Sequence, residues 1–333
     1  MRITREILLN IARDTVAQRT RADRSIIAAY LCGSLLGDSY LLGGTADIDL
    51  VFIHLDTIPT EREIVHLTDE AHLDIAHHKY VDYRNTRNLR VHAWLGPTLS
   101  SCRALYDPQH FLDFTIASVR GQFDRPDHVL ERAQKQEQHA RQIWTTYHEQ
   151  KFEQGPGQVA DYLQAVGHAA NAIASLSGSP LAERRFLLNF PARATAAGKS
   201  GLRHGLLGLL GAPNLENDTL ASWIPLWQAA YQAFPEEQAP ARLHPYRLLY
   251  YQRAFLSILE GDQPQAVLWP LLRTWTIAAN LLPENTEIQA TWRQAIGYLG
   301  LLGVEFEQRL AALDAFLDLV EETLEEWARK AGV

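Results

Sequence analysis

Three aspartates carry the chemistry that this sequence offers. Asp47 and Asp49 stand one residue apart in Asp47-Ile48-Asp49-Leu50-Val51-Phe52-Ile53, and Asp74 follows 25 residues after Asp49 in Leu73-Asp74-Ile75. Side chains alternate faces along a strand, so Asp47 and Asp49 point the same way, about 7 Å apart at Cα. Ile48, Leu50 and Phe52 point the other way and can fill a core. A sheet face bearing two or three unpaired carboxylates repels itself unless cations sit on it. Hard divalent ions with oxygen ligands, Mg²⁺ above all, suit such a face. Two of them, about 3.5–4 Å apart, can clamp a transferring phosphoryl group and lower the pKa of an attacking hydroxyl. Reading Asp47 as a turn marker and Asp49 as a solvated strand residue leaves their alignment with Asp74 unexplained.

Elements must exist to position these groups. Thirteen residues before Asp47, Gly33-Ser34 ends the apolar run 25–32, which reads as a buried strand. A short helix is expected to start there, with free N–H groups able to face an anion. Residues 3–20 have helical spacing at Ile3, Ile7, Leu8 and Ile11. Residues 47–54 read as the carboxylate strand. Pro59-Thr60-Glu61-Arg62-Glu63 is expected to open a helix, with capping-box spacing between Thr60 and Glu63. Residues 71–81 read as a strand with His72, Asp74, Ala76 and His78 on one face and His77 on the other. Residues 104–108 are expected to form a last short strand, followed by a helix to about Gln122.

After Asp124-Arg125-Pro126 the alternation stops and helical periodicity takes over. Helices are expected over 127–150, 158–177, 180–197, 217–233, 245–260, 264–281, 285–299 and 304–330, separated by Gly/Pro breaks. Trp223, Trp227, Trp269, Trp275 and Trp292 are expected to anchor their core.

The pattern Leu31-Cys32-Gly33-Ser34 … Asp47-Ile48-Asp49-Leu50 … Leu73-Asp74-Ile75 resembles the nucleotidyltransferase superfamily with a DNA-polymerase-β-like palm. Within it, the chain is most similar to the small-molecule, aminoglycoside-type branch. The resemblance covers roughly residues 1–122. It implies an α+β fold: a nucleotidyltransferase palm at 1–124, with a mixed sheet and flanking helices, and an all-α acceptor-binding domain at 125–333. It implies an enzyme that moves an NMP group, AMP from ATP, to a hydroxyl of a small molecule such as an aminoglycoside-like antibiotic. Gly33 and Ser34 would contact the NTP, Asp47, Asp49 and Asp74 would hold two Mg²⁺ ions, and Asp74 would also act catalytically on the acceptor. The chain departs from the family pattern at Asp38, where a small residue is usual, and in a longer link from Ser34 to Asp47 containing Gly43-Gly44-Thr45.

Relatives take a separate general base from the helical domain; Glu131, Glu149, Glu153 and Glu183 are equal candidates by location. Arg184, Arg185 and Lys199 are candidates for a triphosphate cation, and His72 or His78 for contact with acceptor or phosphate. Two alternatives stay open: a protein-modifying, antitoxin-type nucleotidyltransferase, and a non-catalytic nucleotide-binding or interaction protein that kept the palm.

Composition bounds the partners. The chain has 333 residues, net charge −8, 47% hydrophobic and 21% charged residues, enough for two domains with sizeable cores. Residues 1–124 carry 13 basic and 16 acidic side chains, and residues 125–333 carry 18 and 23, so neither part has the basic excess expected of a polynucleotide binder. Two cysteines, Cys32 and Cys102, make no disulfide framework, which points to a reducing cytoplasm. Glu6, Arg13 and Asp14 interrupt the N-terminal apolar stretch, so no signal peptide is expected. No run approaches the ~18 apolar residues of a membrane span.

Overall fold

The computed structural model describes residues 3–149, 153–212, 215–284 and 286–333. The fold is α+β, a five-stranded mixed sheet with many helices. The chain forms two compact units: Met1–His128 together with Pro240–Ala254, and Val129–Ala239 together with Phe255–Val333. The segment 240–254, which the periodicity assigns to the C-terminal helical region, thus packs with the first unit.

In the first unit, α1 (Arg5–Ala22) begins at Thr4, whose hydroxyl accepts from the Ile7 N–H, and buries Leu8, Ala12 and Val16 at a spacing of four. The strands are β1 (Ile26–Cys32), β2 (Ala46–His54), β3 (Arg62–Thr68), β4 (Ala71–Lys79) and β5 (Arg103–Tyr106), in the order β3-β4-β2-β1-β5. Only the β2–β4 pair is parallel. One face carries Ile48, Leu50, Phe52, Leu73 and Ile75, packed with Leu8, Ala12 and Val16. On the other, Ala28, Tyr30, Val51 and Ile53 pack against α2 (Thr86–Arg90), α3 (Leu95–Ser101) and α4 (Phe111–Arg120) through Leu89, Leu99, Leu112, Ile116 and Val119. Asp47 and Asp49 share this second face, at the start of β2, where polar groups replace the apolar cluster.

The helix expected from Pro59 is not formed; Arg62–Thr68 is the edge strand β3, paired antiparallel with β4. Ile64 and Val65 are β-branched and gain more from packing on the sheet than an isolated capping box supplies. The Thr60 hydroxyl donates to the Arg62 carbonyl instead of accepting a helical N–H. After Gly33, the expected short helix is a single 3₁₀ turn, Ser34–Leu36.

The second unit is helical. Most of α5 (Pro126–Glu149) lies in it, with α6 (Pro156–Ser175), α7 (Phe186–Ala196), α8 (Leu202–Leu209) and α9 (Asn217–Tyr231). The boundary between units passes through α10 (Leu248–Leu259). Then come α11 (Leu268–Leu281), α12 (Glu287–Tyr298) and α13 (Phe306–Ala331). The helix expected over 180–197 starts only at Phe186, after a 3₁₀ turn at Glu183–Arg185, and α8 lies in a glycine-rich stretch that carries little helical signal. Residues 150, 213 and 285, which end, break or begin expected helices, lie outside the described residues. Ala-rich α6 is buried along nearly its whole length and packs on α11, where Gly167 lies against the Trp269 ring. All five tryptophans named above are buried, and the Trp227 and Trp292 indoles donate to Thr274 and Thr276.

On α13, Asp314, Asp318 and Glu321 all reach Arg141 of α5, at 2.6, 2.8 and 2.6 Å. Glu137, one turn before Arg141, is buried and hydrogen-bonded to Glu321; burial first, then that bond and the charge of Glu321, push its carboxyl up to about 7. The folded protein therefore keeps this proton up to about pH 7, whereas an unfolded chain releases it near 4.5. The fold binds more protons across that window, so this contribution to stability declines as pH rises through it. Glu137→Gln should raise the urea midpoint relative to wild type at pH 8, and the two curves should converge near pH 4.5. An equal offset at both pH values would refute the assignment.

Candidate functional site

The site follows from one strand pairing. Parallel register sets Asp49 of β2 beside Asp74 of β4, and Asp47 beside His72. Carboxylate oxygens of Asp47, Asp49 and Asp74 lie within 4.8 Å of one another. Asp47 and Asp74 are buried, and Asp49 is half-buried. Three carboxylates this close are stable only with positive charge or protons among them.

The chain supplies part of that charge. Arg62, at the start of β3, forks onto Asp74, with Nε 2.5 Å from Oδ1 and Nη2 2.7 Å from Oδ2. Arg247 places Nη1 3.4 Å from Asp74 Oδ2. It is itself buried, its guanidinium 5.4 and 5.7 Å from the ring centres of Tyr250 and Tyr251, and its Nε has no hydrogen-bond partner among the described residues. The Tyr250 hydroxyl donates to Asp47 Oδ2, and His72 meets the Tyr250 ring edge-on at 4.8 Å. Asp49 has no ion pair among the described residues. Burial first, then the charges of Asp47 and Asp74, hold its carboxyl well above the usual range, against the opposing pull of Arg247 and Arg62.

Gly33 closes the site on the β1 side. It adopts φ 76°, and a Cβ there would lie 1.8 Å from Asp49 Oδ2, so only glycine allows this approach. Ser34 follows, its hydroxyl buried without a hydrogen-bond partner among the described residues. Further along, Leu42 and Thr45 pair across a two-residue turn with Gly43 and Gly44 both at positive φ. A Cβ on Gly43 would lie 2.1 Å from the Arg253 carbonyl, and the Thr45 hydroxyl donates to the Tyr250 carbonyl at 3.4 Å. This turn therefore seats the segment that carries Arg247 and Tyr250.

Asp47, Asp49, Asp74 and Gly33 meet, with Ser34 next in chain. Of the other candidates, His72 lies beside Asp47 in register and meets the Tyr250 ring, and His78 lies further along β4. Glu131 pairs with Lys135 at 2.8 Å, and Lys199 with Glu326 at 2.9 Å. Glu131, Glu149, Glu153, Glu183, Arg184, Arg185 and Lys199 all belong to the second unit, and none is part of the carboxylate cluster. His78 bonds the Tyr83 hydroxyl at 2.6 Å. His77, on the opposite face, joins His54 and Glu63 at 2.8 and 2.9 Å. Sequence reasoning missed Arg62, Arg247 and Tyr250. Arg62 was hidden by the helical reading of its segment. Arg247-Leu248-Leu249-Tyr250-Tyr251 is an Arg–aromatic grouping that could have been flagged.

The donor set fits a hard divalent ion. All three candidate ligands are carboxylate oxygens, and among the described residues no nitrogen or sulfur donor joins them in the cluster. The chain matches no protein-family model and none of the curated proteins with which it was compared.

The crowding makes a stability prediction. Asp49→Asn removes a like charge while keeping shape, so in EDTA it should stabilise the fold by about 1 kcal/mol. Excess Mg²⁺ should narrow that gap, because even weak binding at three carboxylates stabilises the wild type more than the variant. Destabilisation by D49N in EDTA would show that the three carboxylates do not repel one another.

Proposed function

We propose that the chain is a nucleotidyltransferase of the DNA-polymerase-β-like kind, transferring AMP from ATP to a hydroxyl of a small molecule. The observation that carries this reading is the meeting of Asp47, Asp49 and Asp74 beside Gly33, on one face of a mixed sheet. In this reading that sheet is the palm, and the helical second unit is the acceptor-binding domain. Asp47, Asp49 and Asp74 are the residues that would hold Mg²⁺. Bound there, the ion would neutralise phosphate charge and acidify an attacking hydroxyl.

The chain's own groups account for the rest. The buried Ser34 hydroxyl, without a partner among the described residues, is able to donate to a phosphate oxygen. Arg247, packed beside the Tyr250 and Tyr251 rings, supplies permanent positive charge beside Asp74. Asp74 would take the proton of the acceptor hydroxyl at a carboxylate oxygen once Arg62 releases it. Tyr250 holds Asp47 in place through its hydroxyl.

The acidic balance of both parts of the sequence disfavours a polynucleotide acceptor and leaves small hydroxyl compounds as the better class. No helix among the described residues is long and apolar enough to cross a membrane. A second reading, nucleotide binding without transfer, draws support from the Arg62 fork, which occupies both oxygens of Asp74.

Pyrophosphate release, measured with each of four NTPs and a panel of aminoglycosides, lincosamides and nucleotides, separates the two. Wild type should release pyrophosphate with Mg²⁺ and an acceptor, and Asp47→Asn should not. Asp74→Asn should still bind ATP while turnover falls by about 10²-fold or more. Release by D47N near the wild-type rate would remove Asp47 from the reaction. ATP binding by wild type with no turnover on any acceptor favours the second reading.

A further inference from the structure

Arg62 and Arg247 both engage Asp74, but they differ in freedom. Arg247 is buried, its guanidinium 5.4 and 5.7 Å from the centres of the Tyr250 and Tyr251 rings. The Arg62 side chain is 46% exposed, sits on an edge strand, and lines an open cleft of about 530 Å³ with His78, Lys79 and Asp82. One guanidinium is built in; the other has room to leave.

The charge balance gives that freedom a consequence. Three carboxylates against two guanidiniums leave the cluster with one formal negative charge. That is too little to attract two divalent ions, and the Arg62 fork occupies both oxygens of the carboxylate that a metal would need. If Arg62 swings away, Asp74 is freed and the cluster regains a negative charge. A guanidinium fork fits a phosphate as well as it fits a carboxylate.

We propose that Arg62 is an exchangeable counter-ion that holds Asp74 until a nucleotide arrives and then passes to its phosphates, so that metal and nucleotide bind together rather than in turn. This rests on the nucleotidyltransferase reading. It makes Arg62 a positioning residue and a barrier to loading by metal alone. Nucleotide recruits Arg62 to its phosphates, which clears Asp74 for the metal. Metal in turn strengthens nucleotide binding by the same factor, as linkage requires.

Mn²⁺ binding to the full chain, read from the free-ion EPR signal, tests this without any turnover. Wild type should bind Mn²⁺ weakly alone and tightly with α,β-methylene-ATP. Arg62→Gln and Arg62→Met, two neutral variants whose fold is checked by near-UV CD, should bind Mn²⁺ alone about tenfold tighter or more. They should bind α,β-methylene-ATP with Mn²⁺ about tenfold more weakly than wild type. Arg62→Lys, which keeps the charge, should stay near wild type for Mn²⁺ alone.

Unchanged or weaker Mn²⁺ binding by both neutral variants overturns the exchange. If Asp47→Asn still abolishes Mn²⁺ binding in that case, the metal site stands and only the role of Arg62 falls. Absence of Mn²⁺ binding by every variant, with and without the nucleotide analogue, overturns the exchange and the metal-site reading together.

Discussion

The first unit is organised around the repulsion of three carboxylates that the β2–β4 pairing forces together. Parallel register sets Asp49 beside Asp74, and the two-residue period of a strand puts Asp47 on the same face. A shift by one residue would send all the carboxylates of one strand to the opposite face, among Leu50, Phe52, Leu73 and Ile75. The apolar face therefore fixes the register, and the register fixes the acidic cluster. Burial of Leu8, Ala12 and Val16 of α1 against that face stabilises an arrangement that the carboxylates alone would oppose.

Everything around the cluster answers its charge. Arg62 comes from the edge strand, Arg247 and Tyr250 from a segment more than 160 residues away in sequence. That segment is seated by the Gly43–Gly44 turn, where a methyl group would collide with the Arg253 carbonyl. Gly33 approaches Asp49 so closely that no other residue fits. Gly33 and Gly43 are needed for close approach rather than for flexibility. The covering helices α2–α4 pack on Val51 and Ile53, further along the same face.

Such a site is poised rather than relaxed. Burial and its two neighbouring carboxylates disfavour the charged form of Asp49, Ser34 presents a buried hydroxyl without a partner among the described residues, and Arg247 keeps a buried Nε unpaired there. Unsatisfied polar groups are costly in a folded interior, and they persist where a ligand completes them. Anionic phosphate with a divalent cation is the ligand chemistry that would satisfy all of these groups at once. The nucleotidyltransferase reading and the exchange of Arg62 both draw on that complementarity.

The amino-acid sequence by itself determined the strands that bear the aspartates, the face they share and the helical character of the C-terminal region. These features are written in local periodicity, which a single segment carries complete. The alternation from Asp47 to Ile53 is a property of seven consecutive residues, and so is the opposite orientation of His77 and His78. Only the tertiary structure decided which cations meet the carboxylates. The segment from Pro59 to Glu63 has a helical start signal, but hydrogen bonding to β4 turned Arg62–Thr68 into an edge strand and brought Arg62 to Asp74. Arg247 and Tyr250 lie in what reads as one more helix of the C-terminal region, yet the fold packs them with the sheet. Charge compensation acts through space and leaves no periodic trace in the chain. It becomes legible only when distant segments have been packed side by side.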